Sequence, residues 1–300
     1  MSRARDLADS ADKDIVGTIT VDGLTVAGNV SADGGTIKLD GNYPVGTGNL
    51  ALGNTALDSL TSGTYNTAIG ANAGTAITTG FNNTVVGGLA LDAQTTGDYN
   101  VAVGTLALSG DTTGNKATGV GYGALAAQNF TSNEDTFNTG VGYSAGSAVT
   151  TGTRNTLIGG IAGDALTTGG DNTVLGYNAL TSDTLGSKTV AIGRSVLSSQ
   201  NFTSATDTYN TAVGYGAGGQ VTTGRFNNLI GGLAGDALTD GSANVAIGYG
   251  ALSSDTRGQS SVAIGHAALE SQNFTSSADS FNTAVGKSAG NKVTTGTNNT

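Results

Sequence analysis

The chain has 300 residues, of which fifty are glycine and one is proline, with no cysteine, no tryptophan and 11% charged residues. That composition excludes collagen, which needs glycine at every third position and abundant proline, and it excludes a disulfide scaffold or a thiolate metal site. A net charge of −10 leaves no basic face for nucleic acid, and the single histidine, His266, cannot build a histidine zinc site.

Residues 1–14 are polar, with Ala4, Leu7, Ala8 and Ala11 at helical spacing behind Ser2 as a cap. The spacing predicts a short amphipathic helix whose narrow apolar stripe suits docking; a solvated terminus is the alternative. No apolar stretch follows Met1, so the opening does not read as a secretory signal peptide. The longest apolar runs, four or five residues, are too short to span a membrane as a helix. Residues 15–47 read as a β-rich connector. Residues 15–21 and 24–26 alternate around Asp22-Gly23, a hairpin signal, and Asp33-Gly34-Gly35 leads into a further strand at 36–39. Pro44 stands just before the repeats begin.

From residue 48 to the end the chain repeats. The unit is Asn-Thr-Ala-Ile-Gly-x-x-Ala, as at Asn66-Thr67-Ala68-Ile69-Gly70 with Ala73. Its central glycines are Gly53, Gly70, Gly87, Gly104, Gly121, Gly142, Gly159, Gly176, Gly193, Gly214, Gly231, Gly248, Gly265 and Gly286. They are 17 apart except for three steps of 21. Every fourth step from Gly70 therefore closes a longer super-repeat, which relates Gly70, Gly142, Gly214 and Gly286. Each of the longer steps carries one insert: Gln128-Asn129-Phe130-Thr131-Ser132, Gln200-Asn201-Phe202-Thr203-Ser204 and Gln272-Asn273-Phe274-Thr275-Ser276.

Such a unit is too short for a helical hairpin. It suits one coil of a narrow parallel β-solenoid, with coils about 4.8 Å apart and fourteen coils making a rod on the order of 65 Å long. A second glycine, usually in Thr-Thr-Gly as at Thr78-Thr79-Gly80, reads as a turn residue at positive φ. The aliphatic residue before each central glycine, Ile69 for example, is expected to point into the coil. Ala73 and its equivalents are expected to line a narrow lumen, and Ala68 and its equivalents to face out. A strand apolar on both faces is buried on both faces, so a stripe along the rod is expected to pack against another chain. Phe130, Phe202 and Phe274 are candidates for wedging into that seam or for projecting as contact sites.

Two segments, Ser261-Val262-Ala263-Ile264-Gly265 and Thr189-Val190-Ala191-Ile192-Gly193, resemble the head repeats of trimeric autotransporter adhesins. The pattern Thr-Thr-Gly-x-x-Asn-Thr-Ala-Val-Gly-Tyr-x-Ala-Gly, seen at Asn210-Thr211-Ala212-Val213-Gly214-Tyr215-Gly216-Ala217-Gly218, is still more similar to phage tail-fibre repeats. The resemblance covers residues 48–300. It implies a left-handed β-roll assembled as a homotrimer, all-β apart from the short N-terminal helix. It further implies an anchor at 1–14 that holds a virion tail protein, a connector at 15–47 and a shaft at 48–300. The expected job is host attachment, with assembly in the host cytoplasm and residence in the virion tail. Asn299-Thr300 begin a further copy of the unit, so the repeats are expected to continue beyond 300. A distal region there would bind a host glycan or outer-membrane protein. A bacterial surface adhesin of the autotransporter type and a polysaccharide-degrading tailspike are the rivals.

Chemistry is sparse. Glycoside cleavage needs paired carboxylates about 5–9.5 Å apart. Asp92, Asp164 and Asp236 form one column and Asp111, Asp183 and Asp255 another, each member four coils from the next. Turn aspartates are the expected role, so neither an enzyme nor a cofactor is expected. A calcium nonapeptide and an EF-hand loop are both absent from the sequence, and Asn133-Glu134-Asp135 reads as a solvated loop. The sequons at Asn129, Asn201 and Asn273 read as part of the insert's packing. Stacked Thr-Thr pairs do not present two threonines to one side, which argues against an ice-binding face. His266 is expected to be exposed.

Overall fold

The computed structural model describes residues 46–300. They form an all-β parallel solenoid. Fourteen three-residue strands, from Leu50–Leu52 to Thr283–Val285, stack in chain order into one parallel sheet. Leu52 pairs with Ile69 across an ordinary coil, and Val120 pairs with Val141 across a coil that carries an insert, so the insert never disturbs the register. The inserts add a second, two-residue ladder: Gly186–Ser187 with Thr206–Asp207, Gly258–Gln259 with Ala278–Asp279, and a single bridge at Asn115 and Asp135. The expected helix at 1–14 and most of the connector at 15–47 lie outside the described residues.

The strands place their middle residue inside. Ala68, Val85, Ala102, Leu157 and Val174 are fully buried, whereas Ile69, Val86, Val103 and Ile158 on the adjacent position are partly exposed. This reverses the expected facing. The lumen is too narrow for a large residue at every strand centre, and alanine or glycine recurs there with neighbouring leucines filling the space. A Cβ on Gly140 would stand 2.8 Å from the Leu125 side chain of the coil before. Ala73, Ala90, Ala107 and Ala124 line the lumen as expected.

Volume is balanced around the coil. Where the fourth residue after the central glycine is glycine, as Gly74, Gly146 or Gly163, the seventh is a buried aliphatic, Ile77, Val149 or Leu166. Where the fourth is leucine, as Leu108 or Leu180, the seventh is a buried polar residue, Asp111 or Asp183; the first coil departs, with Leu57 and Leu60 both buried. At Gly74 the small residue makes room for the large one: a Cβ there would lie 2.8 Å from Ile77 Cδ1. Each buried leucine contributes about 1.5–3 kcal/mol, and close packing leaves no slack for an added methyl group.

The two glycines of the unit have different reasons. Gly142 adopts φ +137, and a Cβ there would sit 2.5 Å from the carbonyl oxygen of Gly159 on the next coil. Both the backbone angle and the close approach require glycine. The glycine of Thr-Thr-Gly does not adopt positive φ, contrary to expectation. Gly80 is needed because a Cβ would meet the Gly97 carbonyl at 2.5 Å. Positive φ falls instead on the residue before the strand's asparagine, such as Tyr65 at 57 and Phe226 at 60.

That asparagine is the main polar element of the lumen. Asn155 is fully buried; its Nδ2 donates to the Gly169 carbonyl at 2.9 Å and its Oδ1 accepts from the Asn172 backbone at 3.1 Å. Asn66, Asn83, Asn100, Asn138, Asn172, Asn210, Asn227 and Asn244 repeat one or both of these bonds. The ladder lapses at Ala117, Thr189 and Ser261, always one coil before an insert closes. There the insert substitutes: Asn138 takes the Thr136 hydroxyl for its N–H, and its Nδ2 adds a bond to Gln128 Oε1 at 2.9 Å.

Candidate functional site

Three features of the described residues offer more than scaffold. The first is the outward sheet face. Because the strand centres point in, the residue before each central glycine points out, and every one of the fourteen is aliphatic. None is buried: Leu52 is 53% exposed, Leu175 44% and Val285 68%. Tyrosines flank this column after the glycine. Tyr122 and Tyr143 stack at 5.5 Å, and Tyr143, Tyr177, Tyr215 and Tyr249 each stay more than half exposed. The column continues over all fourteen strands and the tyrosines enlarge it, and contiguous exposed apolar surface of this kind is uncommon on a single chain. The strand is apolar on both faces, with isoleucine, valine and leucine rather than alanine outside.

The second feature is the insert. Phe130, Phe202 and Phe274 are 6%, 6% and 7% exposed, buried within their own chain. Their packing therefore requires no second chain. The backbone N–H of Phe202 donates to Asp183 Oδ1 at 3.3 Å, and its carbonyl accepts from the Thr184 hydroxyl at 3.1 Å. Asp183 is thus no exposed turn residue. It lies in the lumen, accepts from Gln200 Nε2 at 2.6 Å and from Gly186 N–H at 3.0 Å, and ties the insert to the coil before it. Asp111 and Asp255 do the same with Gln128 and Gln272. Burial raises the Asp111 carboxyl above its ordinary value, against the opposing effect of the Gln128 bond. Asparagine, aspartate and glutamine were all legible as repeats; their inward direction was not.

The other aspartate column is half-buried. Asp164 accepts from the Thr181 hydroxyl at 2.6 Å, but one oxygen each of Asp92 and Asp236 is buried without a partner. Desolvation raises both of those carboxyls, offset in part by a backbone hydrogen bond. Among the described residues no group of three His, Cys, Asp or Glu side chains could hold a metal ion. Asp135, in the loop read as solvated, pairs with Lys116 at 2.6 Å. His266 is exposed and stacks on Tyr249 at 5.6 Å.

The third feature is a set of charged and aromatic contacts on the residue that precedes the asparagine column, including the coils where Ala117 and Thr189 replace the asparagine. Lys116 lies over Phe137, Arg154 pairs with Asp171 at 2.5 Å, Lys188 lies over Tyr209, and Tyr209 stacks on Phe226 at 5.7 Å. Ala4, Leu7, Ala8 and Ala11, the expected docking residues, lie outside the described residues. No helix among the described residues is long and apolar enough to cross a membrane. Comparison with protein families, with characterised proteins and with solved structures finds no match to this chain.

Proposed function

We propose that the chain is the shaft of a phage tail fibre. Three copies associate through the outward sheet face, residues 1–14 hold a virion tail protein, and the rod carries a host-binding region away from the particle. The observation that supports this reading is the unbroken outward aliphatic column over fourteen strands. Exposed apolar area of that length marks an interaction surface, and a surface that repeats every coil fits a partner with the same repeat, which another copy of the chain supplies. A left-handed roll is the form that the resemblance implies. Repetition suits a spacer, because each coil contacts only its neighbours and length follows copy number.

An antibody against residues 48–300 tests the assignment. In the shaft reading, gold label decorates the tails of virus particles released from lysed cells. Label on intact uninfected bacteria instead supports the adhesin reading.

A further inference from the structure

In a repeat fold, whatever the scaffold needs recurs, at every coil or in every super-repeat. Residues that occur at one coil only are available for something else. One groove meets that criterion, beside the second insert. It is open to solvent, has a volume of about 450 Å³ and is lined by Ser187, Thr206, Asp207, Tyr209, Arg225 and Phe226, with Ala205 at its edge. An aspartate and an aromatic residue recur at the equivalent places of the neighbouring super-repeats, as Asp135 with Phe137 and Asp279 with Phe281. The Arg225-Phe226 pair does not: its counterparts are Thr153-Arg154 and Thr297-Asn298.

The charges in the groove do not cancel. Asp207 is neutralised by Lys188 at 2.5 Å. Arg225 has no carboxylate partner among the described residues, whereas Arg154 is held by Asp171. The Arg225 guanidinium lies 5.2 Å from the Phe226 ring centre, and its backbone N–H is fixed by the Ser242 hydroxyl at 3.0 Å. The groove therefore presents one oriented, uncompensated cation. Beside it stand the Oδ1 of Asp207, since Oδ2 takes both Lys188 and the Tyr209 hydroxyl, and two hydroxyls with capacity left: Ser187, which accepts from the Gly170 N–H and can still donate, and Thr206, which donates to the Ser204 carbonyl and can still accept. The edges of the stacked Tyr209 and Phe226 rings and Ala205 make an apolar wall.

We propose that this groove binds a carboxylated sugar unit. The planar guanidinium of Arg225 matches a carboxylate in bidentate fashion. Asp207 and the hydroxyls match the alternating donors and acceptors of a pyranose ring, and the apolar wall matches its C–H face. A neutral sugar leaves Arg225 unused, and a simple anion leaves the wall and Asp207 unused. The volume suits one or two sugar units, within the range of about 300–1,000 Å³ for small-ligand sites. This goes beyond the shaft reading and does not depend on it.

The test titrates the full chain with glucuronate, with glucose and with inorganic phosphate, followed by calorimetry and by saturation-transfer NMR. Glucuronate is expected to bind with a Kd of about 1 mM, a single weak site, and glucose at least about tenfold more weakly, the worth of one charge-assisted bond. Arg225→Gln weakens glucuronate about tenfold, while Arg154→Gln, which removes a cation already paired, leaves it unchanged. Both arginines are exposed, so circular dichroism should report the same fold for each variant. The proposal is overturned if glucuronate fails to bind, if Arg225→Gln binds it as well as the parent chain, or if phosphate binds as tightly as glucuronate.

Discussion

Replacing Asn155 with alanine isolates the worth of one rung of the internal ladder. The substitution removes the donor to the Gly169 carbonyl and the acceptor of the Asn172 N–H, both inside a lumen closed to solvent. Each orphaned buried group costs about 1–3 kcal/mol. Together they give about 2–6 kcal/mol, toward the lower end where a water enters the space left by the amide. The fold contains its own control. Thr189 occupies the same column one coil before an insert closes, and the matching residue of the preceding super-repeat is Ala117. Its hydroxyl meets Thr208 and Gln200, groups that the insert supplies. In Thr189→Ala the Gln200 amide keeps its bond to Asp183 and the Thr208 hydroxyl keeps the Asn210 N–H, so neither is orphaned and the expected cost is about 1 kcal/mol. Because coils couple only to neighbours, the loss in Asn155→Ala should be local. Hydrogen exchange should rise first in strands Thr156–Ile158 and Thr173–Leu175, and chemical unfolding should shift in the same variant. Equal exchange and equal stability in Asn155→Ala and Thr189→Ala would mean that the asparagine rung does not hold the coils together.

Gly142→Ala forces a Cβ to within 2.5 Å of the Gly159 carbonyl at φ +137 and should cost more than about 3 kcal/mol, measured by denaturant titration. Gly88→Ala, with nothing nearer than 3.9 Å and no positive φ, should change stability by less than about 1 kcal/mol; a similar loss in both would count against the close-approach argument. Phe202→Ala should cost about 3–5 kcal/mol and loosen the insert, seen as faster proteolysis at residues 200–207; an unchanged cleavage pattern would mean the ring does not hold it. Asp92 and Asp236 have carboxyls raised by burial above the ordinary value of 3.8. A raised folded value means the folded chain keeps a proton that the unfolded chain has lost, so stability falls as pH rises from 3.8 to the raised value. Asp92→Asn and Asp236→Asn should remove that fall, by under about 1 kcal/mol each given their partial exposure, and a parent chain whose melting temperature climbs relative to the variants across that window would contradict it.

The coil count and register were legible because they rest on spacing, and a parallel solenoid has to return one residue of each coil to the same place. The facing of the strand was not, because Ala68 and Ile69 are both apolar and hydrophobicity alone assigns the larger one to the core. Two signals pointed the other way. Gly119 and Gly140 stand at the strand centre, where only a small residue fits against a leucine from the preceding coil. Asn66, two residues before Ala68, shares its parity, and an asparagine repeated along the coils is more useful inside, where it satisfies backbone groups, than outside. The buried aspartate–glutamine pairs were hidden for a related reason. Asp111 and Gln128 are adjacent in space only because the coils stack, and in sequence they read as turn residues. The groove residues Arg225 and Phe226 were visible as departures from the repeat, but their meeting with Thr206 and Asp207 depends on the ledge that the insert builds.

In the trimer proposed above, the outward aliphatic column is the surface between copies of the chain. Light scattering on the purified chain, beside a variant carrying Val141→Lys, Ile192→Lys and Ile247→Lys, tests it most directly. A mass about three times the 29.3 kDa of one chain, falling toward a single chain in the variant, is the predicted result. A soluble single chain in both, with the fourteen strands intact by circular dichroism, would contradict it.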